Sequence, residues 1–141
     1  MKTRWIVVGG AALLLAIQVV PIARTNPAVE SDVVAPAEVK ALLRRACYDC
    51  HSHETRWPAY SRVAPVSWLI ASDVSEGRAA MDLSRWGALD AKGLTALAKK
   101  IPEDLGEGEM PPLTYRALHP KARLTDAERA TVVEWARSLA K

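Results

Sequence analysis

The chain has 141 residues, half of them hydrophobic and a quarter charged, which excludes wholesale disorder and leaves room for one domain of ~100–120 residues plus a further segment. Phe is absent and five of the eight aromatics are Trp, so the core is short of bulky apolar side chains and something else is expected to fill its centre. The net charge of +3 is accounted for by Lys2, Arg4 and Arg24; the other sixteen basic and sixteen acidic residues balance, and the footprint of a nucleic-acid binder is missing.

Lys2 and Arg4 precede an apolar stretch from Trp5 to Ala23 that only Gln18 and Pro21 interrupt. Its nineteen residues come close to the ~20 needed to cross a hydrocarbon core as a helix. Residues 1–24 therefore read as a membrane anchor, with a cleaved signal as the alternative. The best small-x-small cleavage site ends at Ala23 but has Pro21 in it, and no Cys lies nearby for a lipoprotein signal. Two positive charges before the span, against Arg24 alone after it, predict a cytoplasmic N-terminus and export of everything from about residue 25. Residues 25–36 then form a short, semi-extended tether, and 37–141 form the exported domain.

In that domain Val39, Leu42, Leu43 and Ala46 follow the spacing of one helical face, with Pro36 suited to the first turn. A polar, aromatic loop is expected from His51 to about Pro65. Val66, Leu69, Ile70 and Val74 predict a second helix with Gly77 as its C-cap. Leu94, Leu97, Ala98 and Ile101 predict a third, capped by Asp90 and ended by Pro102. Glu103 to Pro120 reads as a long loop rich in Gly and Pro, which biases it toward function. Thr125 and Glu128 form a capping box before a last helix whose buried face is Val132, Trp135, Ala136 and Leu139. No segment alternates with period two, so the fold class is all-α, with about four short helices and long loops.

Cys47-Tyr48-Asp49-Cys50-His51 is the C-x-x-C-H pattern of c-type haem attachment. Cysteines at i and i+3 project to one side, where they can form thioethers with two vinyl groups, and His51 is then placed as the proximal iron ligand. Its other ring nitrogen needs an acceptor, for which the carbonyls of Pro58 and Pro65 are candidates. Zinc bound by the cysteines with a histidine, and a disulfide or redox dithiol, are the competing readings.

For the second axial position Met110 leads, in an irregular Gly- and Pro-flanked loop; a histidine (His119 or His53) and an open site are the alternatives. Met81 reads as a packing residue. Trp68 and Trp135 are expected in the core, whereas Trp57, Tyr60 and Trp86 are expected to wall the haem or bond its propionates. Arg62 and Arg78 read as surface charge, with propionate neutralisation the alternative.

Arg45 to Ser52, Glu54-Thr55-Arg56-Trp57-Pro58 and Tyr60-Ser61 together resemble the small bacterial haem-binding domain family related to cytochrome c. Ala64 to Leu69, Asp73-Val74, Glu76-Gly77-Arg78, Gly108 to Pro112, Tyr115, Leu118-His119-Pro120 and Leu124-Thr125 extend the resemblance over about residues 40–137. It implies a cytochrome c-like helical domain around one covalent haem c with its iron, behind an N-terminal transmembrane helix. Cys47 and Cys50 fall on the attachment positions, His51 on the proximal ligand and Met110 on the distal methionine. The pattern departs at His53, Ala59 and Asp82, where Asn, Trp and Asn are expected. The expected function is one-electron transfer on the periplasmic face of a bacterial inner membrane, with redox proteins there as partners. A haem-based redox or gas sensor and a small haem peroxidase are the rival functions.

Overall fold

A computed structural model describes residues 2–140; Met1, which opens the expected anchor, and Lys141, which closes the expected domain, lie outside them. Among the described residues the chain is all-α, with no strand and an isolated bridge between Ser31 and Arg85. The helices are α1 (Lys2–Ala16), α2 (Ala37–Ala46), α3 (Tyr48–His51), α4 (Val66–Ala80), α5 (Ala91–Glu107), α6 (Leu113–Leu118) and α7 (Asp126–Ser138).

The helix α1 has no buried residue. With the 3-10 turn Ile17–Val19 it forms an 18-residue stretch of mean hydropathy 1.3, long and apolar enough to cross a membrane. Its length of about 27 Å nearly matches the ~30 Å hydrocarbon core. Helical structure stops at Val19, short of Ala23, because Val20 precedes Pro21 and is held extended at ψ 115°.

The residues after it run extended and are pinned to the domain. The Asn26 side chain donates to the Thr55 carbonyl at 2.8 Å. The Glu30 and Ser31 N–H groups both donate to the Ser84 carbonyl at 3.0 Å, and Trp86 N–H donates to the Ser31 carbonyl. Val33 is buried, and Asp32 pairs with Lys40 and accepts from the Tyr48 hydroxyl at 2.5 Å. This stretch is a strap laid on the domain.

The predicted face of α2 (Val39, Leu42, Leu43, Ala46) is buried throughout. It packs in one core with Leu97 and Leu105 of α5 and Val132, Trp135 and Ala136 of α7. Each of the Val and Leu side chains among them gains roughly 1.5–3 kcal/mol by leaving water. Trp86, expected beside the haem, belongs to this core and stacks on Trp135 with ring centroids 5.8 Å apart. Trp68 does not: it is exposed in the first turn of α4, whose buried positions are Ser67, Val74 and Gly77.

The Asp90 cap is present, its carboxylate accepting from Gly93 N–H at 2.7 Å. Pro102 does not end this helix. It removes one backbone bond, but the following turn buries Leu105, and α5 continues to Glu107 before Gly108 closes it at φ 75°. The expected long loop therefore shrinks to residues 108–112, followed by the unpredicted α6. The Thr125/Glu128 capping box is formed in both directions, at 3.3 and 2.8 Å. Gly77 is not a C-cap; it lies inside α4, where it permits a close approach described below.

Candidate functional site

The site begins where α2 gives way to the single turn α3. Cys47 N–H still bonds the Leu43 carbonyl, and the Cys47 carbonyl receives both Cys50 N–H and His51 N–H, so the five motif residues form one compact turn. Helix α4 crosses this turn at Gly77. A Cβ there would lie 2.7 Å from the Cys50 carbonyl oxygen, so only glycine lets the helix come this near.

Cys47, Cys50 and His51 of the motif and the distant Met110 all border one open cavity of about 320 Å³. Leu43, Leu97, Ile101, Leu105 and Val132 line its apolar side, and Asp73, Glu76, Lys100 and Asp104 contribute charged side chains. Met81 borders it as well, so the methionine expected to serve packing alone also reaches the cavity. Both cysteines are free thiols. Burial raises their pKa values, that of Cys47 to about 12 and that of Cys50, which also faces Asp73 and Asp49, to about 11. Both are therefore protonated at neutral pH.

The acceptor for the His51 ring is neither Pro58 nor Pro65. His51 Nδ1 lies 3.1 Å from the Met81 carbonyl, and Leu83 N–H donates back to the His51 carbonyl at 2.7 Å. An Nδ1–H bonded there fixes the tautomer and leaves the Nε2 lone pair for a metal. Burial lowers the His51 pKa, which keeps the ring neutral and able to ligate.

The two residues between the cysteines hold the distant segments in place, a role that sequence reading missed. Tyr48 grips the strap through Asp32. Asp49 accepts from the Tyr115 hydroxyl at 2.7 Å, tying α6 and the loop before it to the C-x-x-C-H turn. Within that loop the Asp104 carbonyl receives Glu109 N–H and Met110 N–H, and an Arg116 guanidinium N–H reaches the Gly108 carbonyl at 3.2 Å. The only available sequence signal was the placing of two strong hydrogen-bonding residues inside the motif.

Several expected wall residues lie elsewhere. Trp57, Tyr60 and Trp86 do not line the cavity. Arg78 is neither free surface charge nor a propionate partner: its guanidinium donates to the Ser52 and Thr25 carbonyls, Asn26 Oδ1 and Thr55 Oγ1. Arg62 is exposed and away from the cavity. His119 stacks on Tyr115 and meets the Tyr60 hydroxyl at 3.1 Å. His53 is buried, with Nδ1 2.8 Å from the Ala28 carbonyl and Nε2 2.9 Å from Asp82. Neither histidine borders the cavity. Among the described residues no group of three or more His, Cys, Asp or Glu side chains is placed to hold a metal ion alone, so zinc lacks a ligand set.

The lining fits a haem: two thiols, an oriented imidazole and thioether sulfur around an apolar cavity that the Phe-free core leaves open. Fold and site thus define a small all-α domain built to enclose a large cofactor. The chain belongs to the haem-binding domain family, whose model matches residues 12–138, and haem is its cofactor. No curated protein and no solved structure is significantly similar to it.

Proposed function

We propose that this haem-binding protein is a single-haem c-type electron carrier, anchored by α1 with its domain on the periplasmic face of a bacterial inner membrane. The observation that carries the reading is the meeting of Cys47, Cys50, His51 and Met110 at one cavity. Haem bound there supplies a one-electron couple at its iron.

The chain's own residues do the rest. Cys47 and Cys50 would hold the cofactor covalently through their sulfur atoms. His51, its Nδ1–H bonded to the Met81 carbonyl, presents Nε2 as the proximal ligand. Met110 would offer its thioether sulfur to the iron from a loop clasped by Asp104, Arg116 and the Tyr115–Asp49 bond. Thioether ligation favours the reduced iron and raises the potential. With His51 and Met110 both given to holding the iron, the site would suit transfer of an electron rather than binding of a further ligand. The family match begins at residue 12, inside α1, which supports treating the apolar helix and the domain as one unit. Anchoring confines the search for redox partners to the membrane surface.

A sensor or a peroxidase needs an open axial position, and a peroxidase needs an acid–base group beside it. His53 and His119 both stand off the cavity with their ring nitrogens engaged, which favours the carrier.

The test is an optical spectrum of the chain co-expressed with a haem c assembly system, taken oxidised, reduced, and reduced under CO. The carrier predicts a c-type haemochrome, the ferric methionine–iron charge-transfer band and little response to CO. A missing band with avid CO binding overturns it in favour of the sensor or peroxidase. Replacing Cys47 and Cys50 by Ser abolishes covalent haem; retained covalent haem overturns the attachment.

A further inference from the structure

The junction between α1 and the domain contains a second cavity that shares no lining residue with the first. Gln18, in the 3-10 turn that ends the helical span, bonds its amide to both backbone groups of one distant residue. Its Oε1 accepts from Ala64 N–H at 3.0 Å, and its Nε2 donates to the Ala64 carbonyl at 3.1 Å. Arg24 adds a bond from its guanidinium to the Ser61 carbonyl at 3.2 Å. The segment 61–64 is thereby held against the end of the span.

Between them is a half-open cavity of about 310 Å³, bordered by Val19 to Ile22 and by Arg24, Arg62 and Ser67. Both charged groups lining it are arginines, and no carboxylate faces it. The Arg62 side chain has no hydrogen bond or ion pair to any described residue, and Arg24 uses only one of its donors. Val63, Val66 and Leu69 stand around the same segment, 55%, 42% and 65% exposed.

We propose that this junction cavity takes the phosphate of an anionic phospholipid headgroup, one that carries no cation of its own to meet the two guanidinium groups, between Arg24 and Arg62, with Val63, Val66 and Leu69 resting in the membrane interface. The inference rests on α1 being a membrane anchor. If it is, Gln18 marks the level where the span leaves the hydrocarbon, and the cavity lies where headgroup phosphates are. Guanidinium groups pair with phosphate through directed, charge-assisted bonds. The apolar residues around it suit the boundary between headgroups and acyl chains. Gln18 positions the site without reading the lipid, because its amide is already engaged. The contact fixes the domain's orientation: along α4, Val66 and Gly77 are separated by only about 16 Å of helix, so the C-x-x-C-H turn stays near the membrane surface.

The experiment uses the full haem-loaded chain in nanodiscs of phosphatidylcholine, alone or with phosphatidylglycerol, followed by native mass spectrometry of the released protein. The expected result is retention of a phosphatidylglycerol molecule in preference to phosphatidylcholine. Arg24→Gln and Arg62→Gln each reduce that retention about fivefold, from ~1 kcal/mol per basic residue at an anionic surface, with an unchanged haem spectrum. Arg137→Gln, on α7, leaves it unchanged. Equal retention of the two lipids, or retention indifferent to Arg24 and Arg62, overturns the proposal. So does inorganic phosphate that displaces the lipid and binds as tightly in discs of phosphatidylcholine alone, which assigns the cavity to a free anion. Intact mass separates the two levels of failure. A chain lacking residues 1–23 refutes the anchor and the site with it, whereas a full-length inserted chain without headgroup preference refutes the site alone.

Discussion

Gly77→Ala tests how the haem-attachment turn is positioned. The added methyl would stand 2.7 Å from the Cys50 carbonyl oxygen and 3.1 Å from Cys50 Cβ, whereas ordinary Cβ contacts begin at 3.4 Å. Helix α4 must retreat by up to about 0.7 Å, and because the obstacle is backbone, no rotamer change relieves it. Overpacking of this kind costs ~1–3 kcal/mol, while alanine in place of glycine inside a helix returns ~0.5–1 kcal/mol. The balance is a loss of about 1–2 kcal/mol, or roughly 4–8 °C in Tm for a domain of this size. Gly106 in α5 is the control, since a Cβ there meets nothing within 4 Å. Gly106→Ala should gain up to about 1 kcal/mol. Urea unfolding of the two haem-loaded variants measures the difference, and pyridine haemochrome absorbance per chain reports whether a displaced Cys50 lowers haem loading. A Gly77→Ala protein as stable as Gly106→Ala and fully loaded with haem would refute the reasoning.

Met110→Ala should remove the methionine charge-transfer band and admit CO, whereas Met81→Ala should keep the band, since the Met81 carbonyl that orients His51 is backbone; the opposite pattern assigns Met81 as the ligand. Tyr115→Phe loses a hydrogen bond to a carboxylate, a cost of ~1.5–3 kcal/mol in urea unfolding, and CO binding by the reduced protein should rise as the Met110 loop loosens. Burial works against the charge on Asp32, but hydrogen bonds from Lys40, Tyr48 and Val33 outweigh it and hold its pKa below the usual value. A depressed folded pKa gives stability that is fully present above the unfolded pKa of about 4 and is lost as pH falls through the folded value. Asp32→Asn should therefore cost about 1 kcal/mol or less at neutral pH, screening included, and the gap in urea midpoints should close in acid; a gap constant with pH refutes the latch.

What could be read in advance was local. The capping box at Thr125 and Glu128, the Asp90 cap and the apolar face of α2 each depend on residues within two turns, and each formed as expected. C-x-x-C-H is equally compact, which is why the cysteines and histidine were found together. What escaped depends on partners far along the chain. The His51 acceptor is thirty residues away at Met81, and Asp49 meets Tyr115 sixty-six residues on. Pro102 read as a stop because its cost is local while the burial of Leu105 that outweighs it is tertiary. Trp68 and Trp86 were misplaced for a related reason: neither helical spacing nor a place in a loop says which side chain meets the core, and Trp68 is exposed while Trp86 is buried against Trp135.

The contact between His53 and Asp82 has a consequence for how such a sequence can change. These are two of the three positions expected from the sequence to depart from the pattern the chain resembles, and the fold brings them together at 2.9 Å. Both side chains are largely removed from water, with the His53 ring set between Asp82 and the Ala28 carbonyl. Altering one alone strands the other in a pocket shaped for a pair, and residues in such contact commonly couple by ~0.5–3 kcal/mol. The two departures are therefore one event in epistatic terms. A survey that varied positions singly would judge both indispensable, while one that varied them jointly would find an alternative solution to the same buried contact.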